Sequence, residues 1–114
     1  MSGKIQIVGP DEVEAQSEYD GLVVQRDLAS IATGSTRMKF IHDVIVDSAN
    51  FEEVVYEDQD QAAYIISGEM ELVYDGRTHI LGPGHFLFVP QGTVYGAKVT
   101  KGPLEIVAAY APSD

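Results

Sequence analysis

Apolar and polar residues alternate along most of the chain, most clearly between Gln61 and Gly92 (QAAYIISGEMELVYDGRTHILGPGHFLFVPQG). Apolar residues recur there at every second position, which is the period of a strand with one buried face. Glycines divide the segment at the intervals of tight turns, at positions 68, 76, 82, 84 and 92. The pattern predicts four short strands joined by turns.

The same alternation predicts strands on both sides of this segment. They lie at 4–8, 22–25, 28–33, 36–46 and 51–56 before it, and at 93–100 and 104–110 after it. Residues 11–20 are acidic and lack a clean period, so we expect a loop with at most one helical turn. Turn residues recur about every 6–12 positions, as in sandwiches and barrels. The chain is therefore predicted to be all-β, with little or no helix, and closed into one small β-barrel or jelly roll that leaves few exposed edges.

Composition limits the class of protein. The chain has 114 residues, of which 45% are hydrophobic, so we expect a single domain over 1–114 with one core. No apolar run approaches the roughly 18 residues of a membrane span, and the first residues do not form a secretory signal. The absence of cysteine excludes disulfides and thiolate ligands. These features fit a cytoplasmic protein.

Charge bears on the partners. Seven basic and 18 acidic residues give a net charge of -11. Such a surface repels phosphate backbones and anionic lipids. We therefore expect no nucleic acid and no membrane among the partners, and we read the charge mainly as a source of solubility.

A family resemblance rests on the glycine and proline framework. Gly84–Gly92 (GHFLFVPQG) resembles the second motif of the cupins in the spacing of its first glycine, its proline and its last glycine. Tyr64–Gly68 (YIISG) resembles the end of the first cupin motif, and Asp75–Arg77 resembles the hairpin between the two. The resemblance covers roughly 36–110 and implies an RmlC-like cupin barrel, a jelly roll. Small EutQ-type proteins of ethanolamine utilisation are similar in texture.

The resemblance also implies an assembly. Cupin barrels commonly pair through N-terminal strands, which would place residues 1–33 at the edge of a homodimer. The pairing segments expected here are Ile5–Val8 and Leu22–Val24.

The positions at which cupins hold a metal carry other residues. The glutamate position is Gln61 and the histidine of the second motif is Tyr95. The two histidines of the first motif fall at Val55 and Glu57, or with the longer spacing at positions 54 and 56. An amide, a phenol and one carboxylate are a weak donor set for a transition metal. We therefore expect neither a metal nor another cofactor, with an atypical site that joins Glu57 to His42 as the open alternative.

The residues that replace the ligands are capable of acid–base chemistry. Glu57 is a candidate general base, Tyr95 a candidate general acid, and Gln61 a candidate for binding substrate. Phe88 is a further candidate for binding substrate. In the alternative interpretation Tyr95 packs against Phe86 or Phe88 and forms a hydrogen bond through its hydroxyl, and Glu57 is only solvated.

The long strand predicted at 36–46 leaves one choice open, because alternate residues point to opposite faces. If Met38 and Phe40 face inward, His42 reaches the cavity as a third candidate catalytic residue. If the other face is inward, Arg37 and Lys39 reach the cavity and would bind an anionic substrate.

Together these observations predict a small cupin that acts on a carbonyl- or carboxylate-bearing small molecule. The expected chemistry is metal-independent acid–base catalysis of the isomerase, lyase or cyclase type. A non-catalytic module that binds a small molecule is the alternative, and the apolar Val55 at a ligand position favours it.

Overall fold

A computed structural model describes residues 4–113, and in this range eight strands surround one core. The strands are β1 (Gln16–Glu18), β2 (Val23–Ala29), β3 (Lys39–Ile45), β4 (Asn50–Val54), β5 (Asp60–Tyr74), β6 (Arg77–Leu81), β7 (Phe86–Val89) and β8 (Tyr95–Ala111). A single 3-10 turn, Ile31–Thr33, follows β2. Within the described range no helix is long and apolar enough to cross a membrane.

All strand pairs are antiparallel, in the order β1-β2-β3-β8-β5-β6, with β4 paired to β8 and β7 paired to β5. The two long strands hold the barrel together. The first part of β8 pairs with β4 and the second part with β3. In the same way, β5 pairs first with β7 and then with β6. Because each long strand crosses the molecule, it lines both ends of the interior.

The most deeply buried part of the interior is apolar. Ile41, Ile65 and Leu104 are the largest fully buried side chains. One cluster packs around Ile65 and Leu104, and a second joins Ile41 to Tyr110. The two clusters enclose space that the side chains do not fill, and this space is described below.

The predicted all-β jelly-roll barrel is confirmed, but several predicted strand boundaries are wrong. Residues 4–9 form no strand, and the short strand β1 lies where a loop was expected. The strand predicted at 28–33 ends at Ala29, because the Ser30 side chain caps the 3-10 turn that follows. The segment from Gln61 to Gly92 contains three strands rather than four. The two strands predicted at 93–100 and 104–110 form one continuous strand, β8, which begins at Tyr95.

Candidate active site

The barrel contains a cavity of about 390 Å³. Its walls are mostly aliphatic and come from both sides of the barrel; they include Val23, Ile45, Val54, Ile65, Met70, Leu87, Val99, Leu104 and Ile106. A polar depression of about 260 Å³ adjoins it. The two spaces share four lining residues, Tyr19, Gln25, Tyr56 and Tyr110. We call the polar depression the mouth of the cavity. Such a concave, mostly apolar space with a few polar groups is typical of a small-molecule site.

A chain of hydrogen bonds links three phenols through one amide. The Tyr95 hydroxyl donates to Gln61 Oε1 at 2.8 Å, and Gln61 Nε2 donates to the Tyr110 hydroxyl at 3.2 Å. The Tyr110 and Tyr56 hydroxyls lie 3.4 Å apart. Strand pairing sets this geometry, because Gln61 of β5 stands opposite Tyr110 of β8, and Val54 of β4 stands opposite Tyr95.

One phenolic hydrogen of this network is not used by the bond between Tyr56 and Tyr110, since that bond needs one of their two O–H groups. It can donate to the neighbouring Tyr19 hydroxyl or to a ligand in the cavity. Burial raises the pKa of Tyr56, Tyr95 and Tyr110 above the ordinary value of 10.0. These phenols therefore stay protonated at neutral pH and act as hydrogen-bond donors.

A carboxylate stands in the same cavity. Asp43 of β3 is 7% exposed, and its Oδ1 accepts a hydrogen bond from Gln25 Nε2 at 3.0 Å. Burial raises the pKa of Asp43, and this effect is only partly offset by the Gln25 hydrogen bond and by the nearby His42 and Lys39. Asp43 is thus a desolvated carboxylate whose basicity is increased by its surroundings.

Asp43 was not among the residues predicted from the sequence. Its only signal was a carboxylate within the apolar strand FIHDVIV (40–46). The structure settles the parity of this strand, because Ile41 and Asp43 are buried while Met38 is exposed.

Two of the predicted site residues are brought together. Tyr95 and Gln61 are buried, bonded to each other, and part of the cavity wall. The hydrogen bond through the Tyr95 hydroxyl, which the alternative interpretation predicted, is present. Phe86 and Phe88 are exposed, and Phe88 lines a separate depression together with Tyr95. A catalytic role for Tyr95 and a binding role for Gln61 stay predictions.

The other predicted residues lie outside the cavity. Glu57 is exposed on the turn after β4, and Arg37 is exposed before β3. Lys39 lines the mouth, not the cavity. Phe88 is exposed beside a separate depression of about 160 Å³.

His42 belongs to the face of β3 that does not line the cavity. Its Nε2 lies 2.7 Å from Glu105 Oε2 of the neighbouring strand β8. The inward orientation that would have made His42 catalytic is therefore wrong, because the odd-numbered residues of β3 occupy the interior.

The residues present do not fit the metal that cupins commonly hold. Tyr95 and Gln61 occupy two of the ligand positions and bond to each other. Among residues 4–113, no three His, Cys, Asp or Glu side chains are grouped as a metal site would require. The alternative site that joins Glu57 to His42 is not supported either, because His42 contacts Glu105 outside the cavity.

Fold and cavity together define a jelly-roll barrel whose interior holds a cavity of the size of a small molecule. The family model of the cupin domain matches residues 49–110, and the chain belongs to this family. No curated protein matches the sequence. The predicted resemblance to cupins and EutQ-type proteins is confirmed by the family match and by the solved structures.

Three solved structures illustrate the likeness. KdgF from Halomonas sp. is 18% identical, with 96% of each chain covered and a TM-score of 0.83. The polyketide cyclase RemF from Streptomyces resistomycificus is 22% identical, with 97% of this chain and 81% of RemF covered and a TM-score of 0.81. A putative ethanolamine utilization protein Q from Salmonella typhimurium LT2 is 20% identical, with 100% of this chain and 93% of that chain covered and a TM-score of 0.76. At these identities the likeness shows a shared fold.

Proposed function

We propose that the protein is an enzyme that moves a proton next to a carbonyl group of a small molecule, by acid–base chemistry without a metal. The observation that carries this proposal is Asp43, a buried carboxylate in the wall of the 390 Å³ cavity. A carboxylate with a raised pKa is a stronger base than an exposed one, and protonated phenols nearby can stabilise the negative charge that develops.

Asp43, the phenols and Gln61 have different roles in the proposed reaction. Asp43 accepts the proton as the C–H bond breaks, and the electron pair moves through the carbonyl to its oxygen. The free hydrogen of Tyr56 or Tyr110 bonds to that oxygen. Gln61 and Tyr95 position Tyr110 through the hydrogen-bond chain. Return of the proton to another carbon gives isomerisation, and expulsion of a leaving group gives a lyase reaction.

The comparisons support this reaction class as an analogy only. RemF, which is a polyketide cyclase, is built on a barrel of the same fold. The cupin barrel can therefore hold chemistry on carbonyl compounds. The choice of Asp43 as the base comes from the cavity of this chain.

Hydrogen exchange measures the proposed step without knowledge of the natural product. The protein is incubated in D₂O with a panel of small ketones and aldehydes, and loss of the α-proton signal is followed by NMR. We expect faster exchange for at least one compound, and a loss of about 100-fold in Asp43→Asn, the usual effect of removing a general base.

The matched control is Glu57→Gln, which neutralises an exposed carboxylate outside the cavity. Its exchange rate should stay within about twofold of the wild type, as for most surface substitutions. Exchange that survives in Asp43→Asn, or that is lost in Glu57→Gln instead, would contradict the proposed base.

A non-catalytic binding module is the second candidate. Tyr95 and Gln61 satisfy each other by a 2.8 Å hydrogen bond, which suits a rigid binding wall as well as a reactive one. In that case a ligand that raises the melting temperature would be recovered chemically unchanged after long incubation.

A further inference from the structure

Within residues 4–113, no positively charged group forms an ion pair with Asp43. Its hydrogen-bond partner is the neutral amide of Gln25. The other charged residues of the cavity wall, Glu53 and Lys98, are exposed. A buried charge is costly unless an opposite charge accompanies it. A cationic ligand would supply that charge.

The cations near Asp43 are placed elsewhere. Lys39 lines the mouth, where Glu18 also lies, so the mouth carries one charge of each sign. His42 contacts Glu105 on the outer face. The chain as a whole has a net charge of -11. An anionic ligand would therefore meet an unfavourable potential in the cavity.

The turn between β1 and β2 holds an aromatic ring at the mouth in a costly conformation. Its two central residues, Tyr19 and Asp20, have φ of 52° and 55°, and Gly21 N donates to Glu18 O at 3.2 Å. Such a turn favours Asn and Gly at its centre, and a bulky residue there is strained. Strain of this kind is concentrated at ligand sites.

The ring of Tyr19 is available to a ligand. Tyr19 is 59% exposed, contacts Phe51 edge-on with ring centroids 5.4 Å apart, and lines both the cavity and its mouth. Tyr56 and Tyr110, with ring centroids 5.0 Å apart, line the same two spaces. Aromatic rings around a carboxylate are a recognised environment for ammonium groups.

We propose that the cavity binds an ammonium group between the Asp43 carboxylate and the rings of Tyr19, Tyr56 and Tyr110. The ligand is then a small amine. The ammonium site depends only on the charge and aromatic lining of the cavity, and it does not require the proposed acid–base function. A cationic ligand differs from the anionic substrate that Arg37 and Lys39 would bind if both reached the cavity.

Three probes of the same shape and different charge test the proposal: benzylamine, benzyl alcohol and benzoate. Calorimetric titration at neutral pH and low salt should show benzylamine binding about tenfold more tightly than benzyl alcohol, because a charge-assisted contact is added, with benzoate binding weakest. In Asp43→Asn, benzylamine should lose most of its advantage over benzyl alcohol, and only the contribution of the aromatic rings should remain. Benzoate binding as tightly as benzylamine, no binding of benzylamine, or an unchanged affinity in Asp43→Asn would each overturn the proposal.

Tyr19→Asn tests the aromatic part separately. Asparagine suits the turn, so this variant should melt at a higher temperature than the wild type. Its affinity for benzylamine should nevertheless fall about threefold or more, the effect of losing one cation–π contact. Tyr64→Asn, which removes an exposed tyrosine that does not line the cavity, is the control and should leave the affinity unchanged. Equal affinities in wild type and Tyr19→Asn would overturn the role of this ring.

The two proposals can fail separately. If Asp43→Asn abolishes α-proton exchange while benzoate competes equally with benzylamine, the acid–base function stands and the ammonium site is overturned. If benzylamine binds in an Asp43-dependent manner while Asp43→Asn leaves exchange unchanged, the acid–base function is overturned and the ammonium site stands.

Discussion

Asp43 is a carboxylate in a buried environment that disfavours its charged form. Burial raises its pKa above the ordinary value of 3.8, so the folded protein holds this proton more tightly than the unfolded chain does. The free energy of unfolding is therefore highest when Asp43 is protonated. It falls as the pH rises from the ordinary pKa of Asp43 through its raised pKa. At neutral pH the ionised Asp43 destabilises the fold, and Asp43→Asn should stabilise it by roughly 1 kcal/mol, a usual gain at a functional site.

Single residues explain why part of the site could be predicted from the sequence and the rest could not. Gln61 and Tyr95 were predicted because they occupy positions fixed by the glycine and proline framework. Asp43 was not, because apolar residues lie on both faces of its strand: Phe40 and Val44 on one, Ile41 on the other. Alternation alone does not select the inner face of such a strand. Only pairing with β2 and β8 determines it.

At the scale of elements, the two long strands carry the architecture. The sequence predicted breaks at Gly68 and at 101–103, and in the structure both sites lie within strands, β5 and β8. The register between these strands shifts around Gly68. Glycine there bends a continuous strand, whereas Gly76 ends one at a hairpin. Glycine spacing predicts where a chain changes direction, and tertiary pairing decides whether the strand continues.

Gly68 and Gly76 should therefore respond differently to alanine. Both have positive φ, but a Cβ at Gly68 would lie 2.6 Å from the Pro103 carbonyl oxygen, and a Cβ at Gly76 would meet nothing within 4 Å. We expect Gly76→Ala to cost about 1 kcal/mol for the backbone conformation alone, and Gly68→Ala to cost about 3 kcal/mol or more because of the added overlap. Denaturant unfolding of the two variants measures the difference. Equal losses would show that the crossing of β5 and β8 is not closely packed.

At the scale of the whole molecule, the surface exceeds that of a compact monomer. The accessible surface area is 7450 Å², whereas a folded monomer of 12.4 kDa is expected to have about 6,100 Å². The most exposed large apolar side chains among the described residues lie in the segment before β1, where Ile5 is 89% exposed and Ile7 85% exposed. This is one of the segments expected at a homodimer edge, and here it has no strand partner in its own chain. The homodimer stays a prediction, as do the cytoplasmic location and the lack of nucleic-acid and membrane partners.

Light scattering after size exclusion should give a mass near twice 12.4 kDa. Aspartate at both Ile5 and Ile7 should give a monomer, because charge prevents burial of the segment against a second copy. Ile80→Asp, which changes an exposed isoleucine outside residues 1–33, serves as the control and should remain dimeric. A wild-type protein that elutes as a monomer would refute the assembly.

Asp43 is a desolvated carboxylate whose place in the cavity lowers the stability of the fold. Measuring the free energy of unfolding of wild type and Asp43→Asn from about pH 3 to about pH 8 tests this statement. Asp58→Asn, an exposed carboxylate on the loop after β4, is the control and should match the wild type throughout. The predicted result is that Asp43→Asn is more stable at neutral pH and that this advantage is lost as the pH falls through the raised pKa of Asp43 to its ordinary value of 3.8. An Asp43→Asn protein that is less stable than the wild type at neutral pH, or whose difference does not change with pH, would contradict the account.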